Sequence, residues 1–204
     1  MKYCLSSIVV VLFSVFFNSS VSLAEEKEFD MRVLLKIEQY LNGINSIKSN
    51  FVQLNSEGSL SEGVFYLKKP GKFRWEYQDQ PIIIVANGKS LIYHDTELDQ
   101  VNYVPIEQSI ASLLVRRSIS FASEDLEVVD LVEKGDSTRI SLIKRNQKDV
   151  GEFSFLFQND PFKLGKIELL DNQGQKISVT FFEMEINGAE MNKKLFQIKD
   201  PRLK

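Results

Sequence analysis

From residue 46 onward, apolar and polar residues alternate in short runs that end at turn-forming residues. Pro70-Gly71 separates the runs 63–69 and 72–78, and Asn87-Gly88 separates 82–86 from 89–94. A two-residue Asn-Gly connection between alternating runs is the strongest short-range signal for a β-hairpin. The pattern predicts an antiparallel meander, and a sheet with this many strands must curl or close on itself.

The same alternation continues through most of the remaining chain and predicts one domain over residues 25–204. The further predicted strands are 47–54, 98–104, 126–133, 138–144, 150–157, 163–170 and 175–187. A last apolar patch, 195–198, is expected to dock as an edge strand. The predicted fold class is therefore mainly β with a few helices.

Two stretches have a helical period instead. The first follows a polar start, with Asp30 as its N-cap and Gly43 as its stop, and its apolar residues recur every three or four positions: Phe29, Val33, Ile37, Tyr40 and Leu41. The second interrupts the meander, where Ser109 is expected to cap a short helix ending near 116–117, with Ile110, Leu113 and Leu114 on one side.

Residues 1–24 have the three-part layout of a secretory signal peptide. Lys2 supplies the basic start, 8–17 is an unbroken apolar run, and Ser22 and Ala24 are small residues at the −3 and −1 positions. These small residues place the expected cleavage after Ala24. An uncleaved membrane anchor is the less favoured alternative, because the apolar run is shorter than the roughly 20 residues that span a bilayer.

Cysteine and charge exclude several classes of site. The only cysteine, Cys4, lies in the leader, so the mature chain is predicted to contain no disulfide, cysteine metal site or cysteine nucleophile. The net charge is −3 and no basic face is visible, which argues against a nucleic-acid partner.

The sequence favours no enzyme chemistry, cofactor or metal. His94 is the single histidine, and neither a nucleophile-elbow pattern nor a phosphate-binding loop is present. One imidazole without a thiol is a poor site for a transition metal. A hydrolase that uses two carboxylates in one cleft stays open as an alternative.

Aromatic side chains are placed at alternate positions on three predicted strands. Phe65 and Leu67 share a face with Lys69, and two other strands carry similar stripes: Phe73, Trp75 and Tyr77, then Phe153, Phe155 and Phe157. Such stripes usually form ordinary core. A large curled sheet with only two short helices, however, offers more concave apolar face than the helices can cover, which favours a partly filled interior.

The segment GVFYLKKPGKFRWEY at 63–77 resembles the outer-membrane lipoprotein carrier (LolA) family. Phe51-Val52-Gln53 upstream, the stretches 87–91 and 95–101, and Leu113-Leu114 downstream agree with it in order and spacing, so the resemblance covers most of 29–200.

This resemblance implies an unclosed antiparallel β-barrel, covered by a helical lid that encloses a hydrophobic cavity for acyl chains. The lid and its closure would involve Leu41, Lys69, Leu113 and Leu114. The resemblance and the aromatic stripes together predict the residues of the cavity wall: Phe51, Phe65, Leu67, Phe73, Trp75, Tyr77, Phe153 and Phe155.

Two positions depart from the family pattern. Lys69 replaces an arginine that helps to hold the lid shut, and Ser109-Ile110 replaces Thr-Pro at the start of the lid helix. Lysine keeps the charge but lacks the planar five-donor fork, and the preset proline angle is lost.

The function implied is that of a monomeric, non-enzymatic carrier in the periplasm. Its partners would be acylated lipoproteins, the inner-membrane ABC transporter that releases them and an outer-membrane acceptor that receives them. A periplasmic binding or sensing module for another apolar ligand, such as a glycolipid, is the alternative.

Overall fold

The structure is a computed structural model that describes residues 28–109, 111–147 and 150–200. The predicted leader lies outside this range. Within it, eleven strands form one antiparallel sheet: β1 Ser46–Asn55, β2 Leu60–Lys68, β3 Lys72–Tyr77, β4 Ile82–Asn87, β5 Ser90–Asp95, β6 Gln100–Pro105, β7 Leu126–Lys134, β8 Ser137–Lys144, β9 Glu152–Asn159, β10 Phe162–Leu170 and β11 Lys176–Ile186.

The sheet is curved but unclosed. Its order is β6-β5-β4-β3-β2-β1-β11-β10-β9-β8-β7, so the first and last strands meet at its centre and β6 and β7 form its two edges. Pairing of β1 with β11 brings Phe51 opposite Phe181. The mainly β, open-barrel architecture predicted from the sequence is confirmed.

The helix α1, Met31–Gly43, precedes the sheet and lies against its inner face. Asp30 caps it as predicted, because its carboxylate accepts a hydrogen bond from the Arg32 N–H at 2.8 Å. The buried face of the helix consists of Leu34, Ile37 and Leu41. Among the described residues, no helix combines the length and the apolar character needed to span a membrane.

The crossover from β6 to β7 runs through residues 106–125 and carries the short helix α2, Ser112–Val115. The expectation that Ser109 caps this helix is wrong, because its N-cap is Ala111 and no side chain caps it; the Ser109 hydroxyl instead accepts a hydrogen bond from the Ala111 N–H at 3.1 Å, just before the helix. Ile110 lies outside the described residues. The predicted internal helix is thus present, with Leu113 fully buried.

The expectation of a final edge strand at 195–198 is wrong. The segment Lys193–Phe196 forms a 3-10 turn, which Asn192 caps, on the outer face of β3 and β4. Phe196 and Met191 bury Val85 there. The outward-facing side chains of β4 lie on the side of the sheet opposite the core. They are removed from water only if a segment outside the sheet covers them, and apolar burial therefore favours this position for the C-terminal segment.

Candidate ligand-binding site

The first aromatic cluster covers the inner face at the centre of the sheet. Strand alternation turns Phe51, Phe65 and Trp75 inward, and Phe181 joins them from β11. The Trp75 ring lies 4.6 Å from Phe51 and 4.8 Å from Phe65, centroid to centroid. These contacts hold the indole in one orientation.

The second cluster lies on the other half of the sheet and is largely solid core. Phe157 stacks on Phe162 at 4.9 Å, and Tyr40 of α1 packs edge-on against Phe157 at 5.5 Å. The Tyr40 hydroxyl also accepts a hydrogen bond from the Leu164 N–H at 3.0 Å. The helix and this half of the sheet therefore form one packed unit.

An apolar cavity of about 180 Å³ separates the two halves. Trp75 and Phe73 line it on one side, Phe153 on the other, and Leu114 of α2 covers it. Its remaining walls are Gln53, Tyr77, Ile84, Leu91, Tyr93, Ser109, Ala111, Ile167, Leu169, Ile177 and Val179. For comparison, an engineered apolar cavity of about 150 Å³ stays dry and binds benzene.

A second, much smaller void lies directly beneath α1. It measures about 20 Å³ and is bounded by Leu41, Leu113 and Leu114 on the helical side and by Phe65, Leu67 and Phe155 on the sheet. A space of this size holds about one water molecule. The lid is therefore closed and well packed at this end.

Lys69 links the hairpin between β2 and β3 to α1. Its ammonium group donates a hydrogen bond to the Leu41 carbonyl, in the last turn of the helix, at 2.8 Å. The side chain borders the small void, and its burial lowers the pKa of Lys69 to about 8. This charged donor adds to the bond from the Ile44 N–H, which the same carbonyl accepts at 3.4 Å at the end of the helix.

Three further contacts join the lid segments to their surroundings, and in one of them the Glu38 carboxylate of α1 accepts a hydrogen bond from the Phe121 N–H. The Asn42 side chain donates to the Ile119 carbonyl at 2.9 Å and accepts from the Ile119 N–H at 2.7 Å. The Gly71 N–H donates to the Val115 carbonyl at 2.8 Å. Helix α1, the crossover and the β2–β3 hairpin are therefore held together by few polar contacts.

Three polar side chains interrupt the apolar wall at the end of the cavity where β3 finishes. The Tyr77 hydroxyl donates to Gln53 Oε1 at 2.8 Å. Burial raises the pKa of Tyr77 to about 12, against a smaller opposing effect of the neighbouring Gln53 and Trp75 side chains. Burial also raises the pKa of Tyr93, so both phenols are neutral at ordinary pH.

Residues 42–199 match the family model described as outer membrane lipoprotein carrier protein LolA. The chain belongs to this family. Similarity to carrier proteins of this family extends over most of the sequence. An outer-membrane lipoprotein carrier protein of Legionella pneumophila (strain Corby) is 30% identical over 175 residues, which cover 81% of this chain and 85% of that protein. The corresponding protein of Azotobacter vinelandii is 28% identical over 191 residues, covering 86% and 89%.

A solved structure outside the carriers has a similar fold. The crystal structure of a DUF1329 family protein from Desulfovibrio piger matches with a TM-score of 0.53 over 81% of this chain and 95% of that one. The sequences are 7% identical, so the match concerns the fold alone.

The expected LolA-type wall residues are divided between the two spaces. Phe73, Trp75, Tyr77 and Phe153 line the large cavity, whereas Phe65, Leu67 and Phe155 border the small void. Phe51 lies behind the Trp75 ring and borders neither space. Of the expected lid residues, Leu114 borders both spaces, and Leu41, Lys69 and Leu113 border the small void.

Sequence reasoning missed the wall contributed by β4, β5, β10 and β11. Ile84, Leu91, Ile167 and Val179 are ordinary aliphatic residues in alternating runs, and no aromatic stripe marks them. Gln53 was detectable, because it lies two positions after Phe51 and so faces inward. The Asn42 contact with Ile119 joins residues 77 apart, and no local pattern in the sequence indicates it.

Proposed function

We propose that this protein is a periplasmic carrier that binds the acyl chains of lipoproteins released from the inner membrane and delivers them to the outer membrane. In this proposal an inner-membrane ABC transporter loads it and an outer-membrane acceptor unloads it. The observation that carries the proposal is the apolar cavity beside Trp75 under a cover held by a few hydrogen bonds. Membership of the LolA family supports the same conclusion.

The chemistry of the wall suits acyl chains. Among the described residues that line the cavity, the charged types are missing, and the polar members are Gln53, two tyrosines and Ser109. Burying hydrocarbon stabilises a complex by about 0.8 kcal/mol per CH₂ group. A cavity with this lining therefore binds tails and excludes ions, because an unpaired buried charge is costly.

Loading requires the cover to move. A cavity of about 180 Å³ accepts a hydrocarbon of roughly six carbons, judged by the benzene-sized cavity above, and two long acyl chains need several times that space. Displacement of α1 and the crossover would join the large cavity to the small void, since Leu114 borders both. The packing lost on opening opposes loading, which keeps the net affinity low enough for release.

The proposal is tested by placing a charge on the cavity side of the lid. Leu114→Glu puts a carboxylate over both spaces, whereas Leu35→Glu puts the same group on the exposed face of α1, where Leu35 is 49% exposed. We expect Leu114→Glu to reduce binding of a peptide with an N-terminal S-diacylglyceryl cysteine by more than tenfold, and Leu35→Glu to leave binding unchanged. Equal binding by the two folded variants would contradict the proposal.

The identity of the natural cargo is tested separately. Native mass spectrometry of protein isolated from periplasmic extract is expected to show a bound acylated protein. A glycolipid mass in its place would favour a carrier or sensor for another apolar ligand.

A further inference from the structure

The single tryptophan of the chain has an unused hydrogen-bond donor. Trp75 lines the large cavity and is only 8% exposed. Its indole Nε1–H is fully buried and makes no hydrogen bond to any residue in the described part of the chain. A buried donor without an acceptor destabilises a fold, so its persistence in a cavity wall calls for a compensating partner.

The polar side chains next to this donor are already engaged with other groups. The Tyr77 hydroxyl hydrogen is engaged by Gln53 Oε1 at 2.8 Å, and Gln53 Nε2 donates to Asn55 at 2.9 Å. The Trp75 side chain lies close enough to the Tyr77 hydroxyl to lower the pKa of Tyr77, but the two groups do not meet hydrogen-bond geometry, so the indole nitrogen lies toward this polar end of the cavity without a partner. A ligand group that binds here must therefore accept a hydrogen bond.

The charge of the wall restricts that group further. A carboxylate would be buried without a counter-charge, because the ammonium of Lys69 borders the other void and is bonded to Leu41. A neutral carbonyl oxygen meets both conditions. In an acyl chain that is joined to a larger molecule, the ester or amide carbonyl is the one polar group next to the hydrocarbon.

We propose that the Trp75 indole N–H is a specificity-determining donor that binds the ester carbonyl at the head of an acyl chain. The carbonyl lies near Tyr77 and Gln53, and the hydrocarbon extends past Phe73, Leu91 and Phe153. This inference rests on the proposed function and adds the polar group that orients the cargo. It predicts that the protein distinguishes acyl esters from alkyl ethers of the same length.

The test compares two synthetic peptides that differ only in the presence of the two ester carbonyl groups. Both carry an N-terminal cysteine with two sixteen-carbon chains on an S-glyceryl group, one through ester bonds and the other through ether bonds. We expect the wild-type protein to bind the ester about fivefold more tightly, in the range of one net hydrogen bond. Trp75→Phe removes the donor and is expected to bind both peptides equally, at the affinity of the ether.

Phe73→Leu is the matched control. It removes aromatic wall but no donor, so it is expected to weaken both peptides and to keep the ester preference. Equal binding of the two peptides by the wild-type protein would overturn the inference and leave the proposed function standing. Binding of neither peptide would refute the proposed function, and this inference with it.

A measurement without any variant guards against loss of folding in Trp75→Phe. Because the chain has one tryptophan, its ¹⁵N-labelled form gives one indole N–H resonance. The ester peptide is expected to move this resonance downfield, as hydrogen bonding does, and the ether peptide is expected to leave it near its free position. The same displacement by both peptides would contradict the assignment.

Discussion

At the scale of single residues, Lys69 places an ionisable group at a half-buried point between the hairpin and the lid. Burial lowers its pKa from 10.5 to about 8, while its bond to Leu41 holds it in position. Between these two values the unfolded chain binds more protons at this site than the folded chain does. The destabilisation that Lys69 causes is therefore fully present below pH 8 and is relieved as the pH rises toward 10.5.

This linkage predicts a pH trend that belongs to Lys69 alone. The free energy of unfolding of the wild-type protein, measured relative to Lys69→Met by denaturant titration, is expected to increase between about pH 8 and 10.5. Lys48→Met, at an exposed position on β1, provides the background trend. A difference between wild type and Lys69→Met that stays flat across this window would show that the amine is not desolvated.

Gly63 is a second residue whose role follows from close contact. A Cβ atom at this position would lie 2.1 Å from the Glu76 carbonyl oxygen and 2.7 Å from the Phe51 ring. The carbonyl belongs to the paired strand β3 and cannot move away without breaking the sheet. The absence of a side chain here lets Phe51 reach Trp75.

Gly63→Ala is therefore expected to destabilise the protein by about 1–3 kcal/mol, as overpacking does. Gly165→Ala is the matched control in another strand, because its Cβ would meet nothing closer than the Leu156 carbonyl at 3.9 Å. Denaturant midpoints of the two variants measure the difference. Similar midpoints would mean that the two strands separate easily at Gly63.

At the scale of elements, local signals in the sequence predicted the hairpins well. Gly88 has a φ of +100° and Gly71 a φ of +82°, which are backbone conformations that residues other than glycine rarely adopt. The glycines themselves therefore predict the positions of these turns. The C-terminal segment was misread because its burial is not local. The continuous apolar run 82–86 did indicate this burial, because a strand without polar alternation is typically covered on both faces. The segment around Phe196 covers its outer face.

The hydrogen bonds between α1 and the crossover are expected to control how often the crossover separates from the helix. Asn42→Ala removes both hydrogen bonds to Ile119, worth about 1–3 kcal/mol together. Amide exchange at 116–120 is expected to become faster, while the Phe121 amide keeps its bond to Glu38 and exchange in the centre of the sheet stays unchanged. Asn50→Ala, which removes one exposed bond to Glu183, is the control and should leave this segment unaffected.

At the scale of the whole molecule, the sequence predicts which aromatic residues face the inside of the sheet, but not which of them line a cavity and which form solid core. The aromatic stripes identified Phe73, Trp75 and Phe153 as inner-face residues, and the structure places them on the cavity. The division between wall and solid core depends on how far the two halves of the sheet stand apart. That distance is set by the pairing of β1 with β11, between residues more than a hundred positions apart, and no local pattern encodes it.

Affinity for a large ligand depends on the whole molecule, because the cavity is small while α1 and the crossover are in place. A large ligand therefore binds only the fraction of molecules whose lid is displaced. Asn42→Ala raises that fraction and removes no wall residue. It is therefore expected to tighten the apparent binding of a diacylated peptide, by up to about tenfold for a lid destabilised by about 1.4 kcal/mol. Benzene fits a cavity of about 180 Å³ without opening, so its affinity should be the same in both proteins. Parallel titrations of the two ligands measure the contrast, and an equal gain for benzene would mean that the substitution enlarged the cavity rather than released its cover.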